Sequence, residues 1–245
     1  MPVDPSELDP TPRPGETERE AERRAARAGA LIASALRGPF RWNAGAGRYI
    51  SASGRFVPQR VVIAELERGL ARAAANMRRS SQALREGRTS LRAWQRVMMA
   101  EIKNAHIVSA ALGQGGFKGL AREDLFRIGR AVRYEYGKLK GFAAQIAEGS
   151  QRLDGTMLRR AEQYVKAART TYYRERGVIA DRLGFAEERN VLSTADHCVG
   201  CVAETDRGWV ARGNLSEPGT RDCLRNCLCH IEYRRGGLGS EVWDG

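Results

Sequence analysis

Five cysteines are confined to two short stretches near the end of this 245-residue chain. They lie in DHCVGC and CLRNCLCH, at Cys198, Cys201, Cys223, Cys227 and Cys229. Two of the three histidines, His197 and His230, belong to the same stretches. Thiolate and imidazole are the donors that zinc prefers in proteins. This clustering therefore predicts a metal site before any other chemistry.

The spacing indicates which cysteines act as ligands. In a Cys-x-x-Cys pair, two intervening residues bring both sulfurs to the same side of a turn, so Cys198 and Cys201 are the first two predicted ligands. Cys223 is the predicted third ligand. Cys227 is narrowly preferred as the fourth, with Cys229 a close alternative. If their segment is extended, we expect only one of this pair to bind.

Other uses of these residues fit the sequence less well. His197 and His230 are reserve ligands, set against the commoner all-thiolate structural site. Two disulfides and one free thiol are typical of a secreted protein. A redox Cys-x-x-Cys lacks the strand and helix of a thioredoxin-like context. A catalytic zinc requires an open coordination position, whereas five thiols favour closure, so the sequence predicts one structural zinc ion.

The segment around the cysteines is too small to fold on apolar burial alone. Residues 191–235 contain few large apolar side chains, and a module of about 45 residues needs a further stabilising element. We expect a zinc-stapled module, meaning one that the ion holds closed. Its predicted strands are Gly208–Ala211 and Cys229–Arg234, with Trp209 packed over the metal or against the helices.

The elements that must position this module are mainly helical. Apolar residues recur at three, four or seven positions through residues 58–190 and predict an antiparallel body of three to four long helices. Asp154 is a predicted N-cap of the last helix, and Thr89 or Ser90 of an earlier one. The predicted fold class is therefore mainly α, with the small zinc-stapled module and its short β-strands following the helices.

The remaining segments flank this body. Residues 1–15 and 236–245 predict tails. Residues 16–57 predict an N-terminal helix and a glycine-rich strap, in which Trp42, Tyr49 and Phe56 are expected to anchor the strap to the helices.

Composition restricts the class of protein. The chain is 42% hydrophobic and has no run of the about 20 apolar residues that a bilayer span requires. Its first residues are acidic and proline-rich, so we expect no secretory signal and a reducing cytoplasm. The 41 Lys and Arg against 29 Asp and Glu give a net charge of +12. This charge favours weak, non-specific contact with nucleic acid or another acidic partner.

The cysteine stretches also resemble a known family. Asp196–Cys201, Gly208–Trp209, Pro218–Gly219 and Cys223–Cys229 together are similar to the C-terminal signature of tailed-phage head morphogenesis proteins, the minor head proteins of Mu-like and SPP1-like phages. Those proteins end in a CxxC pair followed by a CRC motif. Here Leu228 stands where the usual arginine lies between the last two cysteines, and the common His-Pro-Asn lead-in is replaced by CLRN.

This resemblance implies a function without catalysis. It implies a virion protein at the portal vertex or capsid interior, assembled in the bacterial host cytoplasm. The implied partners are the portal protein, the major capsid protein or both, with a contribution to DNA packaging or ejection. Neither a membrane nor a small-molecule substrate is expected.

A second hypothesis comes from a different class of protein. The zinc module would then support a nucleic-acid-binding surface or a nuclease. Asp196, His197 and Asp222 are the only nearby candidates for a catalytic acid or base. Salt-sensitive DNA binding or metal-dependent nicking would distinguish this hypothesis from the structural one.

Overall fold

A computed structural model describes residues 40–116, 120–193, 196–236 and 242–243. The predicted tail over residues 1–15, the helix predicted after it, and most of the predicted tail over residues 236–245 lie outside the described residues. The described chain is mainly helical with a small C-terminal β region, which confirms the predicted fold class.

The helices follow the apolar periodicity of the sequence. They are α1 (Gln59–Arg85), α2 (Leu91–Gly113), α3 (Arg122–Ala147), α4 (Gly155–Lys166), α5 (Ala168–Arg182) and α6 (Val199–Asp206). The last long helix of the prediction is therefore two helices, α4 and α5, which meet at Ala167. Asp154 is the N-cap of α4, since its side chain accepts hydrogen bonds from the backbone of Thr156 and Met157. Ser90 has the equivalent role at α2, accepting from the backbone N of Ala93 at 3.2 Å.

The strands form two small antiparallel sheets. They are β1 (Arg41–Asn43), β2 (Arg48–Ile50), β3 (Glu187–Val191), β4 (Val210–Ala211), β5 (His230–Arg234) and β6 (Val242–Trp243). The first two form a hairpin. The other four form a sheet in the order β4-β3-β5-β6, in which Val191 pairs with His230 at one end of the longest ladder. Both predicted strands exist, but β3 lies between them.

The chain divides into two compact units, which are described separately. Glu67–Val108 and Leu125–Ala168 form what we call the helical unit. The described parts of Pro39–Leu66, Ser109–Asp124 and Arg169–Gly245 form the cysteine-bearing unit.

Aromatic rings fill the interior of the helical unit. The Phe142 ring meets Trp94 edge-on at 5.4 Å between centroids and stacks on Tyr164 at 6.1 Å. The indole N–H of Trp94 donates to Ser81 Oγ at 2.9 Å, so its one polar group is satisfied. Arg160 covers the Phe142 ring at 4.2 Å.

The cysteine-bearing unit has a smaller apolar core against one end of its sheet. Its buried members are Ile179, Ala180, Ile231, Tyr233 and Trp243. Beside them, the buried Arg176 donates to the carbonyl oxygens of Gly47 and Gly113 at 3.1 and 3.2 Å. Its guanidinium also lies 4.1 Å from the Trp243 ring centroid. A buried charge is thus held by carbonyl dipoles and an aromatic face.

Several predicted boundaries and contacts differ from the structure. Trp243, inside the predicted C-terminal tail, is a buried strand residue because its ring stacks on Phe185. The Trp209 ring contacts two arginine side chains, with Arg189 at 4.8 Å and Arg234 at 4.5 Å from its ring centroid. β3 begins before the predicted start of the module at residue 191.

The strap predicted over residues 41–57 is the β1–β2 hairpin and the turn after it. Trp42 packs edge-on against Tyr49 at 5.0 Å, and the Tyr49 hydroxyl donates to Leu112 O at 2.9 Å. Phe56 is 49% exposed and lies under the Arg48 guanidinium.

Over the stretches that the structure describes, no helix is both long enough and apolar enough to cross a bilayer.

Candidate metal centre

The first cysteine turn, residues 198–201, opens helix α6. Cys198 is the N-cap with extended backbone, and Cys201 N donates to Cys198 O at 3.0 Å. This bond closes the turn and brings the two sulfurs to the same side. Gly200 N donates to Asp222 Oδ2 at 2.9 Å. A side chain at Gly200 would bring its Cβ within 2.8 Å of that oxygen, so the Asp222 side chain would have to shift.

The second cysteine turn, residues 223–227, is a short 3-10 turn over Leu224–Asn226. Asn226 N donates to Cys223 O at 3.0 Å and Cys227 N to Leu224 O at 3.1 Å. Leu224 has a positive φ of 48°, which is uncommon for a residue with a branched side chain. From helix α5, Arg169 Nη1 donates to Cys227 O at 3.0 Å and ties this turn to the helix.

A buried arginine connects the two turns to the sheet. Arg221 is 6% exposed, and its Nη1 donates to Asn190 Oδ1 on β3 at 2.7 Å. The same nitrogen lies 3.8 Å from Cys201 Sγ. Asn190 in turn donates to Cys201 O at 3.2 Å and Thr205 Oγ1 at 2.7 Å. The position of Cys201 is therefore set by side chains from three parts of the unit.

All five cysteines are free thiols that meet around Cys201. The Sγ of Cys201 lies 3.5 Å from that of Cys223 and 3.6 Å from that of Cys227. A disulfide would require about 2.05 Å. Four sulfurs around one zinc at about 2.3 Å lie about 3.8 Å apart, close to the observed separations. These distances fit shared coordination of a metal ion.

The donors form two overlapping triads. Within each triad all three sulfurs lie within 4.8 Å of one another. One triad is Cys198, Cys201 and Cys223, and the other is Cys201, Cys227 and Cys229. The cysteine cluster, meaning these five residues, has the donors and the spacing to hold a metal ion.

Proximity makes the thiols unequal. The hydrogen bond from Cys229 lowers the pKa of the Cys227 thiol to about 4. Burial raises the pKa of Cys201 and, together with contacts to neighbouring thiols, that of Cys223. The pKa of Cys229 is raised chiefly by its contact with Cys227. A bound divalent ion would displace protons from the thiols whose pKa is raised.

The structure places each predicted ligand in this cluster. Cys198, Cys201, Cys223 and Cys227 all lie there, and so does the alternative Cys229. The argument that only one of the last two binds assumed an extended segment. The segment is not extended, because Cys227 ends the 3-10 turn and β5 begins only at His230. The sulfurs of Cys227 and Cys229 therefore both lie within 4.8 Å of Cys201 Sγ.

The two reserve histidines differ in position. His197 Nδ1 lies 3.8 Å from Cys229 Sγ, at the edge of the cluster. His230 lies on β5, with its Nε2 3.8 Å from Glu232 Oε1.

The supporting residues were not predicted. Arg221 and Asp222 directly precede Cys223, and this adjacency was the available signal for residues that orient the ligands. Asn190 lies on β3, ahead of the first cysteine turn, and nothing in the pattern indicated it.

Comparison of the chain with protein-family models, with curated proteins and with solved structures finds no match.

The geometry permits a closed, sulfur-rich centre. A catalytic zinc keeps one position open for water or substrate. Here the thiols that meet around Cys201 outnumber the four ligands that one tetrahedral ion accepts. Asp222, a candidate acid or base, binds the backbone of the first cysteine turn.

Proposed function

We propose that this protein is a phage virion structural and assembly protein, a minor head protein without enzymatic activity. It acts near the portal vertex or the inner capsid surface, and a structural zinc centre closes its cysteine-bearing unit. The observation that carries the zinc part is the convergence of five free thiols on Cys201, two at 3.5–3.6 Å. Zinc is the metal that best suits a closed thiolate site in a reducing compartment.

The virion part is supported by the cysteine pattern. The CVGC and CLRNCLC stretches resemble the C-terminal signature of phage head morphogenesis proteins, and the convergence of their thiols on Cys201 supports a closed, structural site. The partners are the portal protein, the major capsid protein or both. The net charge of +12 adds weak, non-specific contact with packaged DNA.

Incorporation into heads tests the virion part. The full chain is produced together with candidate portal and major capsid proteins from the same genome, and purified heads are analysed by quantitative mass spectrometry. We expect a few copies in each head and retention on immobilised portal or capsid protein. Absence from heads together with no retention on either protein would contradict the proposal.

Nucleic-acid assays test the rival function. The zinc-loaded protein is incubated with supercoiled and linear DNA across a range of salt concentrations. We expect no nicking, and weak binding that falls steeply with salt and shows no sequence preference. Metal-dependent nicking that the Asp222→Asn variant abolishes would favour the nuclease.

A further inference from the structure

The cysteine cluster contains more donors than one tetrahedral ion uses. A zinc ion in a structural site takes four ligands. The cluster offers five thiols in two triads that share Cys201, and one imidazole nitrogen, His197 Nδ1, lies beside Cys229. A single ion would leave two of these six donors unused.

Cys227 extends the sharing from one sulfur to two. Its Sγ lies 3.6 Å from Cys201 Sγ, which itself lies 3.5 Å from Cys223 Sγ of the first triad. Adding Cys227 to the first triad completes four sulfur donors. Cys201 and Cys227 then form an edge common to both groups.

His197 completes the second group. Its Nε2 lies 3.0 Å from Ser193 O, a carbonyl that only accepts hydrogen bonds. The proton is therefore on Nε2, and Nδ1 presents its lone pair 3.8 Å from Cys229 Sγ. A histidine that binds a metal through one ring nitrogen usually donates a hydrogen bond from the other to a backbone carbonyl or a carboxylate.

We propose that the cluster binds two zinc ions instead of the single ion that the sequence predicts. Both ions share the thiolates of Cys201 and Cys227. Cys198 and Cys223 complete one site, and Cys229 and His197 complete the other. This proposal rests on the zinc centre of the proposed function and adds a second site to it.

Charge is consistent with this arrangement. Five thiolates and a neutral imidazole around two divalent ions leave one negative charge. The buried guanidinium of Arg221 lies 3.8 Å from Cys201 Sγ, one of the two shared sulfurs. A positive charge at that distance in a poorly hydrated site stabilises the excess thiolate.

The metal content of the full chain tests the proposal directly. Protein purified under reducing conditions without chelators is measured by elemental analysis and by native mass spectrometry. Two zinc ions per chain support the two-ion cluster. One ion per chain overturns it and leaves the proposed zinc centre intact. A chain without zinc, after zinc addition as well, overturns both.

Cadmium-113 spectroscopy of the wild-type chain tests the shared thiolates without any substitution. We expect two resonances, one from a four-sulfur site and one from a site with three sulfurs and one nitrogen. Each should be split by the other, because coupling between the two metals passes through the shared sulfurs. Two resonances without splitting overturn the shared ligands.

A matched pair of histidine variants tests the second site. We expect His197→Ala to weaken the second ion at least tenfold and to move only one cadmium resonance. His230→Ala, which changes a histidine of the same unit outside the cluster, should keep both ions. Equal metal affinities in the two variants would overturn the role of His197.

Discussion

The two units are stabilised by different kinds of interior. In the helical unit, Trp94, Phe142 and Tyr164 form a continuous set of packed rings. Both units bury charged side chains, Glu101 in the helical unit and Arg176 and Glu188 in the cysteine-bearing unit. The cysteine-bearing unit also buries most of the cysteine cluster. Burial of apolar area stabilises the first directly, whereas burial of a charge is unfavourable until partners satisfy it.

This difference determines what each unit depends on. Glu188 is satisfied within the cysteine-bearing unit, where it accepts from Arg212 at 2.7 Å and from the backbone of Gly213 and Leu215 at 2.9 Å. These bonds order the loop that leads towards the second cysteine turn. In the cysteine cluster, Arg221 Nη1 lies 3.8 Å from Cys201 Sγ, and the zinc ions of the proposed centre would compensate the remaining thiolate charge. We therefore expect the cysteine-bearing unit to depend on metal and the helical unit to be independent of it.

The largest expected effect comes from the shared ligand. Cys201→Ser should abolish metal binding and expose residues 196–236 to protease while the helices of the other unit remain protected. Structural zinc contributes about 10–16 kcal/mol in zinc-finger peptides, and even part of that is comparable with the whole stability of a domain. Limited proteolysis with mass spectrometry, together with zinc analysis, measures both outcomes.

Val199→Ser is the matched control for this experiment. Val199 lies in the same turn and is 82% exposed, so its substitution should change neither zinc content nor cleavage. Equal protease resistance of the Cys201→Ser and Val199→Ser proteins would show that metal does not stabilise the unit.

The second expected effect lies in the helical unit. Phe142→Ala should lower the free energy of unfolding of that unit by about 3–5 kcal/mol, because the ring is fully buried between two others. The loss should be equal with and without a chelator. Denaturant unfolding followed by circular dichroism measures it. Phe126→Ala, at a 67% exposed position of the same helix, should change stability by less than about 0.5 kcal/mol. A chelator-dependent loss would contradict the contrast between the units.

The third effect concerns the residue that orients Cys201. Arg221→Lys keeps the charge but cannot reach Asn190 and the Cys201 sulfur with one planar group, so zinc affinity should fall about 10–100-fold. Competition with a chromophoric chelator measures the affinity. Arg207→Lys, at a half-exposed arginine of the same unit, is the control and should leave it unchanged. Unchanged affinity in Arg221→Lys would mean that Asn190 alone positions the turn.

Sequence periodicity predicted the helices because their determinants are local. Asp154 caps α4 through hydrogen bonds to residues two and three positions away, and such a signal is visible in one stretch of sequence. The break at Ala167 was missed, because the apolar positions continue across it into α5.

The sheet and the support of the cluster were harder to predict, since they depend on distant pairs. β3 alternates buried and intermediate residues over only five positions, and its pairing with β5 joins residues about 40 positions apart. The sequence predicted the cysteines as ligands from their types and spacing alone. It did not predict that Asn190 and Arg221 would meet behind Cys201, because neither residue is unusual until the strand brings them together.

The smallest expected effect is a pH dependence in the sheet of the cysteine-bearing unit. The contact with His230, followed by that with Arg189 at 2.7 Å, lowers the pKa of Glu232 below its ordinary value of 4.5, while desolvation opposes the shift. A lowered folded-state pKa stabilises the fold above the unfolded value, and this contribution is lost as the pH falls through the folded value.

Glu232→Gln should therefore lower the free energy of unfolding at pH 7 by up to about 1 kcal/mol, a small effect because Arg189 is 40% exposed. The loss should become smaller as the pH is lowered below 4.5. Denaturant unfolding of the wild type and the variant between pH 7 and pH 4 measures the difference between their free energies of unfolding. Release of the metal at acid pH affects both proteins equally and therefore cancels in this difference. The exposed Glu148→Gln substitution in the helical unit should show no comparable convergence. A difference between wild type and Glu232→Gln that grows towards acid pH would contradict the sign.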